Sequence, residues 1–256
     1  MTDVTCQRWV EAMDTRFDVI LRGDDAEHLD AVAVVVCEEV QRLDALLSRF
    51  DKRSEIARIN REAVDKFVRV DRELFALLER CEQARALTDG YFDVTLSAAL
   101  LLDADDCAVR LTRPDAAIDL GAIGKGYALD CGREIILRYG VTSGLLQGGT
   151  SSILATGNET WPIAVRHPLQ PERLVRQLAL ARRGFSCSAV RHVGQSQSDI
   201  LNPHTNAALT GDEACYVLAT SATEAEIFST ALLAMGKEMA TQFLCGNDLE
   251  VGWING

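Results

Sequence analysis

A fold that mixes long helices with strands is predicted by three features of this 256-residue chain. The first is an apolar run from Ala31 to Leu47, with Asp24 or Asp25 placed to cap a helix whose stripe would be Ala31, Val34, Val35, Leu43, Leu46 and Leu47. The second is strand-like alternation, short in Arg16 to Leu21 and clean in Leu174 to Leu180. The third is the glycine-rich junction IDLGAIGKGYALD at 118–130, where Gly121, Gly124 and Gly126 crowd around Lys125. A helical pattern follows at Tyr127, Ala128, Cys131, Ile135 and Ile136, with Gly140 as its stop. A strand that ends in such a turn and opens a helix gathers free backbone N–H groups, a setting that suits an anionic group such as phosphate.

The remaining elements follow in order. Ser54 is placed to cap a short helix through Asn60, Phe67 to Val70 reads as a strand, and Asp71 caps a helix through Leu74, Leu77, Leu78, Cys81 and Ala84. Ser143 to Leu146 is a buried strand leading into Gln147-Gly148-Gly149-Thr150, and strands follow at 153–155, 161–165 and 174–180. Ala214 to Thr220 is an apolar strand, Ala222 to Met235 a helix closed by Gly236, and 248–254 a last strand. No repeat or Pro/Gly/Ser-rich linker marks a boundary, so 1–256 reads as one unit.

Two common phosphate motifs fail against 118–130. A Walker loop needs four residues between its first glycine and Gly-Lys, then Ser or Thr; only Ala122 and Ile123 intervene here, and Gly126 follows. A Rossmann fingerprint needs a third glycine where Leu129 stands. From the residues alone, a tight turn that requires small side chains remains the competing account.

The IDLGAIGKGYALD stretch resembles the signature of the ApbE family, the FAD:protein FMN transferases. AMDTRF, SRFDKRSEIARIN, GYFDVT, LLQGGTSSILATG and SATEAEIFSTALLAMG resemble further family segments in the same order, so the similarity spans nearly the whole chain. The resemblance implies an α+β fold of the T-fold type, antiparallel sheets packed with long helices and a ligand cleft between two halves. It also implies FAD as substrate, Mg²⁺ as cofactor, transfer of FMN to a threonine of a flavoprotein, and release of AMP.

Carried over residue by residue, the resemblance assigns Met13, Phe50, Asp93, Asp119, Lys125, Gly148, Gly149 and Ile200 to the flavin nucleotide. It assigns Glu226, Thr230 and the carbonyl of Ala122 to the metal. Glu226 and Thr230 are four apart on a helix and so share a face, and oxygen donors suit a hard cation. Relatives carry aspartate where Glu226 stands, so reach grows by one methylene. Asp14 and Thr150 also depart from the pattern, as do Ser188 and Asn206. A histidine that is a candidate general base in relatives is replaced by Asp199, while His204 stands nearby; these two are the candidate catalytic residues. Two alternatives stay open: a flavin-binding protein without transferase activity, and an FAD pyrophosphatase that uses water. Asp93 alone also reads as a turn carboxylate, and Met13 as a core filler.

Composition bounds these readings. A net charge of −12 and a pI near 4.8 argue against nucleic acid or an anionic membrane as main partner. The opening MTDVTCQRWV lacks a signal-peptide pattern, and the longest strongly apolar run, AVAVVVC at 31–37, is too short to span a bilayer. Eight scattered cysteines with no Cys-x-x-Cys support neither a metal nor a redox motif, and with the missing signal they point to a reducing cytoplasm. Cys187 with His192 suggests a thiol protease only in residue type, with no third partner at a recognisable spacing. Asp103, Asp105 and Asp106 form an acidic loop too sparse for calcium and read as solvated.

Overall fold

The computed structural model describes residues 4–245 and 249–256, so Asp248, expected to begin the last strand, lies outside the described residues. The chain opens with a hairpin of β1 (Val4–Ala12) and β2 (Thr15–Gly23), then α1 (Ala26–Leu47), α2 (Glu55–Glu62), β3 (Val68–Arg69) and α3 (Arg72–Leu87). A second hairpin of β4 (Leu100–Asp103) and β5 (Ala108–Leu111) precedes α4 (Gly124–Arg138). Then come β6 (Ser143–Gly148), β7 (Ser152–Gly157), β8 (Trp161–His167), β9 (Gln170–Leu180) and β10 (Gly184–Ala189). The chain ends with β11 (Leu201–Asn202), β12 (Ala207–Ala208), β13 (Ala214–Ala219), α5 (Ala222–Met235), α6 (Lys237–Leu244) and β14 (Glu250–Ile254).

Seven strands form one fully antiparallel sheet in the order β1-β2-β6-β7-β10-β13-β14. Alternation along these strands divides the core. Leu146, Leu154 and Val217 pack with the helices α1, α4 and α5, while Leu145, Ala155 and Tyr216 pack with Trp161, Ile163 and Val165 of the β8–β9 hairpin. This is the α+β architecture expected.

The predicted caps hold. Asp25 accepts from the amides of Glu27 and His28, Ser54 from Ala57, and Asp71 from Glu73. The stripe on α1 is displaced from the expected one: Leu29, Val32, Ala33, Val36, Val40, Leu43 and Leu47 are buried, and Ala31 is exposed. A run of mixed alanine and valine fits several helical faces, and tertiary packing chooses among them. Residues 116–120 belong to no strand. Ile118 is held instead by the side chain of Asn60, which accepts from its N–H at 2.7 Å and donates to its carbonyl at 3.0 Å. The alternation at 174–180 does form part of β9, but only its end faces the core: Leu180 is buried and Leu178 packs beside it, while Leu174 and Val175 are exposed. β1 and α6 carry no pattern strong enough to be anticipated.

Candidate functional site

The site begins where α4 and α5 meet. A Cβ on Gly126 would lie 2.5 Å from the carbonyl oxygen of Ala222, so only glycine lets the first turn of α4 approach the start of α5 this closely. One turn further on, the buried carboxylate of Asp130 accepts from the amides of Ala222 and Thr223 at 3.1 and 3.0 Å, tying α4 to the N-terminus of α5. The two helices are thereby fixed, and Glu226 on α5 faces the glycine turn.

Glu226 is 3% exposed and receives three donors. Its Oε2 accepts from the N–H of Gly126 at 2.7 Å; its Oε1 accepts from Ser152 Oγ at 2.5 Å and lies 3.2 Å from Lys125 Nζ. Burying a carboxylate this deeply is costly unless such partners replace its water. The amides expected to be free for an anion are therefore partly taken: Gly126 by Glu226, and Gly121 by Asp119 Oδ1 at 2.9 Å. The glycines serve close packing and carboxylate capture, and Lys125 and Arg49 bring positive charge to the cleft.

Around this cluster opens a cleft of about 690 Å³, and a second hollow of about 570 Å³ shares Arg49, Phe50, Asp119, Gly121 and Lys125 with its lining. Of the expected residues, Phe50, Asp93, Asp119, Ala122, Lys125, Asp199, Ile200, Glu226 and Thr230 line the larger cleft together. Phe50, 75% exposed, lines this cleft and presents its ring to solvent. The Arg49 guanidinium lies 4.8 Å from its centroid and binds Asp119 Oδ2 at 2.6 Å. Met13 lines the second hollow from the β1–β2 turn, where it and Asp14 hold φ of 50° and 56°. The turn demands positive φ at both positions, which glycine meets freely and aspartate tolerates.

Other expected residues stand elsewhere or do different work. Gly148 and Gly149 sit at the β6–β7 turn outside the cleft lining. A Cβ on Gly148 would press on Phe17 at 3.0 Å, and Gly149 has φ +63°. Asp93 lines the cleft, yet both its oxygens close its own turn, accepting from Thr95 N and Oγ1 at 2.8 Å and from Ala98 N at 2.6 Å. His204 is exposed and packs edge-on against Tyr91, ring centroids 4.4 Å apart; it does not line the cleft. Asp199 does, with its carboxylate held by Gln195 at 2.6 Å. Cys187 also lines the cleft, but burial pushes its thiol up to about 12, which leaves no thiolate for protease chemistry near neutral pH. Asp103 accepts from the amides of Asp105 and Asp106 in the β4–β5 loop, far from a cation cage.

Arg49 and Asp130 belong to this site without having been expected there, and Ser152, one of the hydroxyls after the β6 glycines, enters it as a partner of Glu226. Arg49 adjoins Phe50 and was available as a cation beside an exposed ring. Asp130 and Ser152 act across 92 and 74 residues, and no local spacing signals such contacts. Ser188, one of the positions that depart from the family pattern, joins the site as well: its hydroxyl lies 3.2 Å from Thr230 Oγ1 and 2.8 Å from Ser229 Oγ. The donor set of Glu226 carboxylate, Thr230 hydroxyl and Ala122 at one cleft is of the all-oxygen kind that fits a hard divalent cation.

An antiparallel sheet backed by α1, α4 and α5, with an acidic and hydroxyl-rich cleft at the α4–α5 junction, defines the class. The ApbE family model matches residues 13–104 and 98–253, and the chain belongs to the ApbE family. It is 23% identical over 249 residues to an FAD:protein FMN transferase of Klebsiella pneumoniae, covering 82% of this chain and 78% of that one. It is 26% identical over 151 residues to an Escherichia coli protein of the same name, covering 55% and 43%. Among solved structures, the ApbE protein of Thermotoga maritima superposes with a TM-score of 0.88 at 22% identity, covering 97% of this chain and 93% of that one. The flavin transferase ApbE of Vibrio cholerae gives 0.85 at 18% identity, covering 98% and 93%.

Proposed function

We propose that this chain is an FAD:protein FMN transferase, binding FAD in the cleft, transferring FMN to a threonine hydroxyl of an acceptor flavoprotein and releasing AMP. The observation that carries the reading is the joining of Lys125, Glu226 and Thr230 with the exposed Phe50 along one cleft, in a chain of this family. Phe50 offers a stacking face to an aromatic ring system of the nucleotide. Lys125 and Arg49 meet the pyrophosphate with positive charge and stabilise the charge that shifts onto its oxygens as the bond breaks. Glu226, Thr230 and the Ala122 carbonyl would hold Mg²⁺, whose chemistry is to draw negative charge from the phosphoryl oxygens. Asp199 takes the proton from the incoming threonine hydroxyl, a role for which its place in the cleft favours it over His204. Eight free thiols support action in a reducing compartment such as the cytoplasm.

Asp199 is exposed, and this supports one second reading, in which water takes the place of threonine and the products are FMN and AMP. Chromatography of FAD reactions run with Mg²⁺, with and without a threonine-containing acceptor peptide, separates the two. AMP together with a flavinylated peptide supports transfer. AMP with free FMN alone supports hydrolysis, and no AMP in any reaction refutes both.

A further inference from the structure

Glu226 already has a cation. Lys125 Nζ lies 3.2 Å from Oε1, Ser152 Oγ donates to the same oxygen, and the Gly126 amide occupies Oε2. Lys125 is held there by construction. It follows directly on Gly124 in the first turn of α4, its Cβ lies close to where a Cβ on Gly148 would be (3.4 Å), and its side chain is only 24% exposed. No other Lys or Arg pairs with Glu226 among the described residues. An ion entering at Glu226 therefore meets a positive charge on the oxygen it needs, and the two repel more strongly than they would in water because the carboxylate is buried.

We propose that Lys125 is the resident counter-ion of Glu226 and that a divalent metal binds the carboxylate only by displacing the Lys125 ammonium, so that Lys125 sets the metal affinity of the empty cleft. The proposal rests on the reading of Glu226 as a metal ligand. It has two consequences. The chain folds with its buried carboxylate compensated in the absence of metal. The displaced ammonium becomes available to a second anion in the cleft, so metal and a phosphate-bearing ligand bind better together than either does alone.

Binding of Mn²⁺ to the full chain, read by the electron paramagnetic resonance signal of the free ion without FAD, tests this. Lys125→Met is expected to bind Mn²⁺ at least about ten-fold more tightly than wild type, because a like charge has gone from a buried oxygen. Lys125→Arg is expected to bind no more tightly than wild type, and Glu226→Gln to lose the site. A wild-type measurement covers the case in which Lys125→Met does not fold: mass spectrometry of brief acetic anhydride labelling, with and without MgCl₂, should show Lys125 labelled faster with the metal. Equal Mn²⁺ affinity in wild type and Lys125→Met, or Lys125 labelling unmoved by MgCl₂, overturns the proposal. FAD binding is followed separately by flavin fluorescence. Failure of FAD to bind removes the flavin reading while leaving the competition result intact.

Discussion

Two glycines in the first turn of α4, two residues apart, should respond oppositely to the same substitution. In Gly126→Ala the new Cβ would stand 2.5 Å from the Ala222 carbonyl oxygen, 2.7 Å from its carbon and 2.9 Å from the Thr223 nitrogen, all backbone. None of these atoms can rotate away, so α4 and α5 must separate. Overpacking of this kind costs about 1–3 kcal/mol. Separation also lengthens the Asp130 bonds to Ala222 and Thr223, a helix cap worth about 1 kcal/mol. The better helix propensity of alanine returns up to about 1 kcal/mol. The balance is a loss of about 1–3 kcal/mol, or roughly 2–12 °C in melting temperature for a chain of this size. In Gly124→Ala the nearest atom is Met13 Sδ at 3.7 Å, an ordinary contact, so stability should hold or rise by up to about 1 kcal/mol. Urea unfolding of both variants beside wild type reads the difference. Equal stabilities for the two variants would refute the claim that Gly126 exists to let the helices touch.

Further expectations follow from the same geometry. Asp199→Asn should lower AMP release in the presence of acceptor by about 10²–10⁴-fold if its carboxylate accepts the threonine proton, whereas His204→Ala should change it little; a reversed order in a kinetic assay would return the role to His204. Asp14→Gly should stabilise the β1–β2 turn by about 1 kcal/mol, since Asp14 holds φ 56°, and an unchanged urea midpoint would count against strain there. Burial raises the thiols of Cys81, Cys131 and Cys187 to about 12, above their ordinary value of 9.0. The unfolded chain ionises first, so the stability these thiols give is complete below pH 9 and is lost as pH rises from 9 toward 12. Native iodoacetamide labelling at pH 8 should accordingly reach the exposed Cys245 well before the buried Cys81 or Cys215, and uniform labelling would contradict their burial.

The sequence exposed the fold wherever a local rule was enough. Asp25, Ser54 and Asp71 sit where caps must, and their helices start there. The antiparallel architecture came from the resemblance alone, because strand pairing across β2, β6, β7 and β10 leaves no trace in local periodicity. At the site, the residue types were legible and their partners were not. The glycines of 121–126 were readable as close approach to something; that Gly126 approaches a helix, and Gly121 a carboxylate, depends on segments about a hundred residues away in the first case and on a two-residue turn in the second. The stripe on α1 shows the same limit, since its alanines and valines permit more than one face and the sheet decides.

Every functional reading of this cleft requires that it bind FAD, so the most direct measurement is a titration of the protein with FAD followed by flavin fluorescence, repeated with Phe50→Ala. Saturable binding at one site per chain is expected, weakened by about 1–3 kcal/mol, or roughly five- to 150-fold, when the Phe50 ring is removed. An unchanged flavin signal on addition of wild-type protein, or equal affinity in Phe50→Ala, would contradict it.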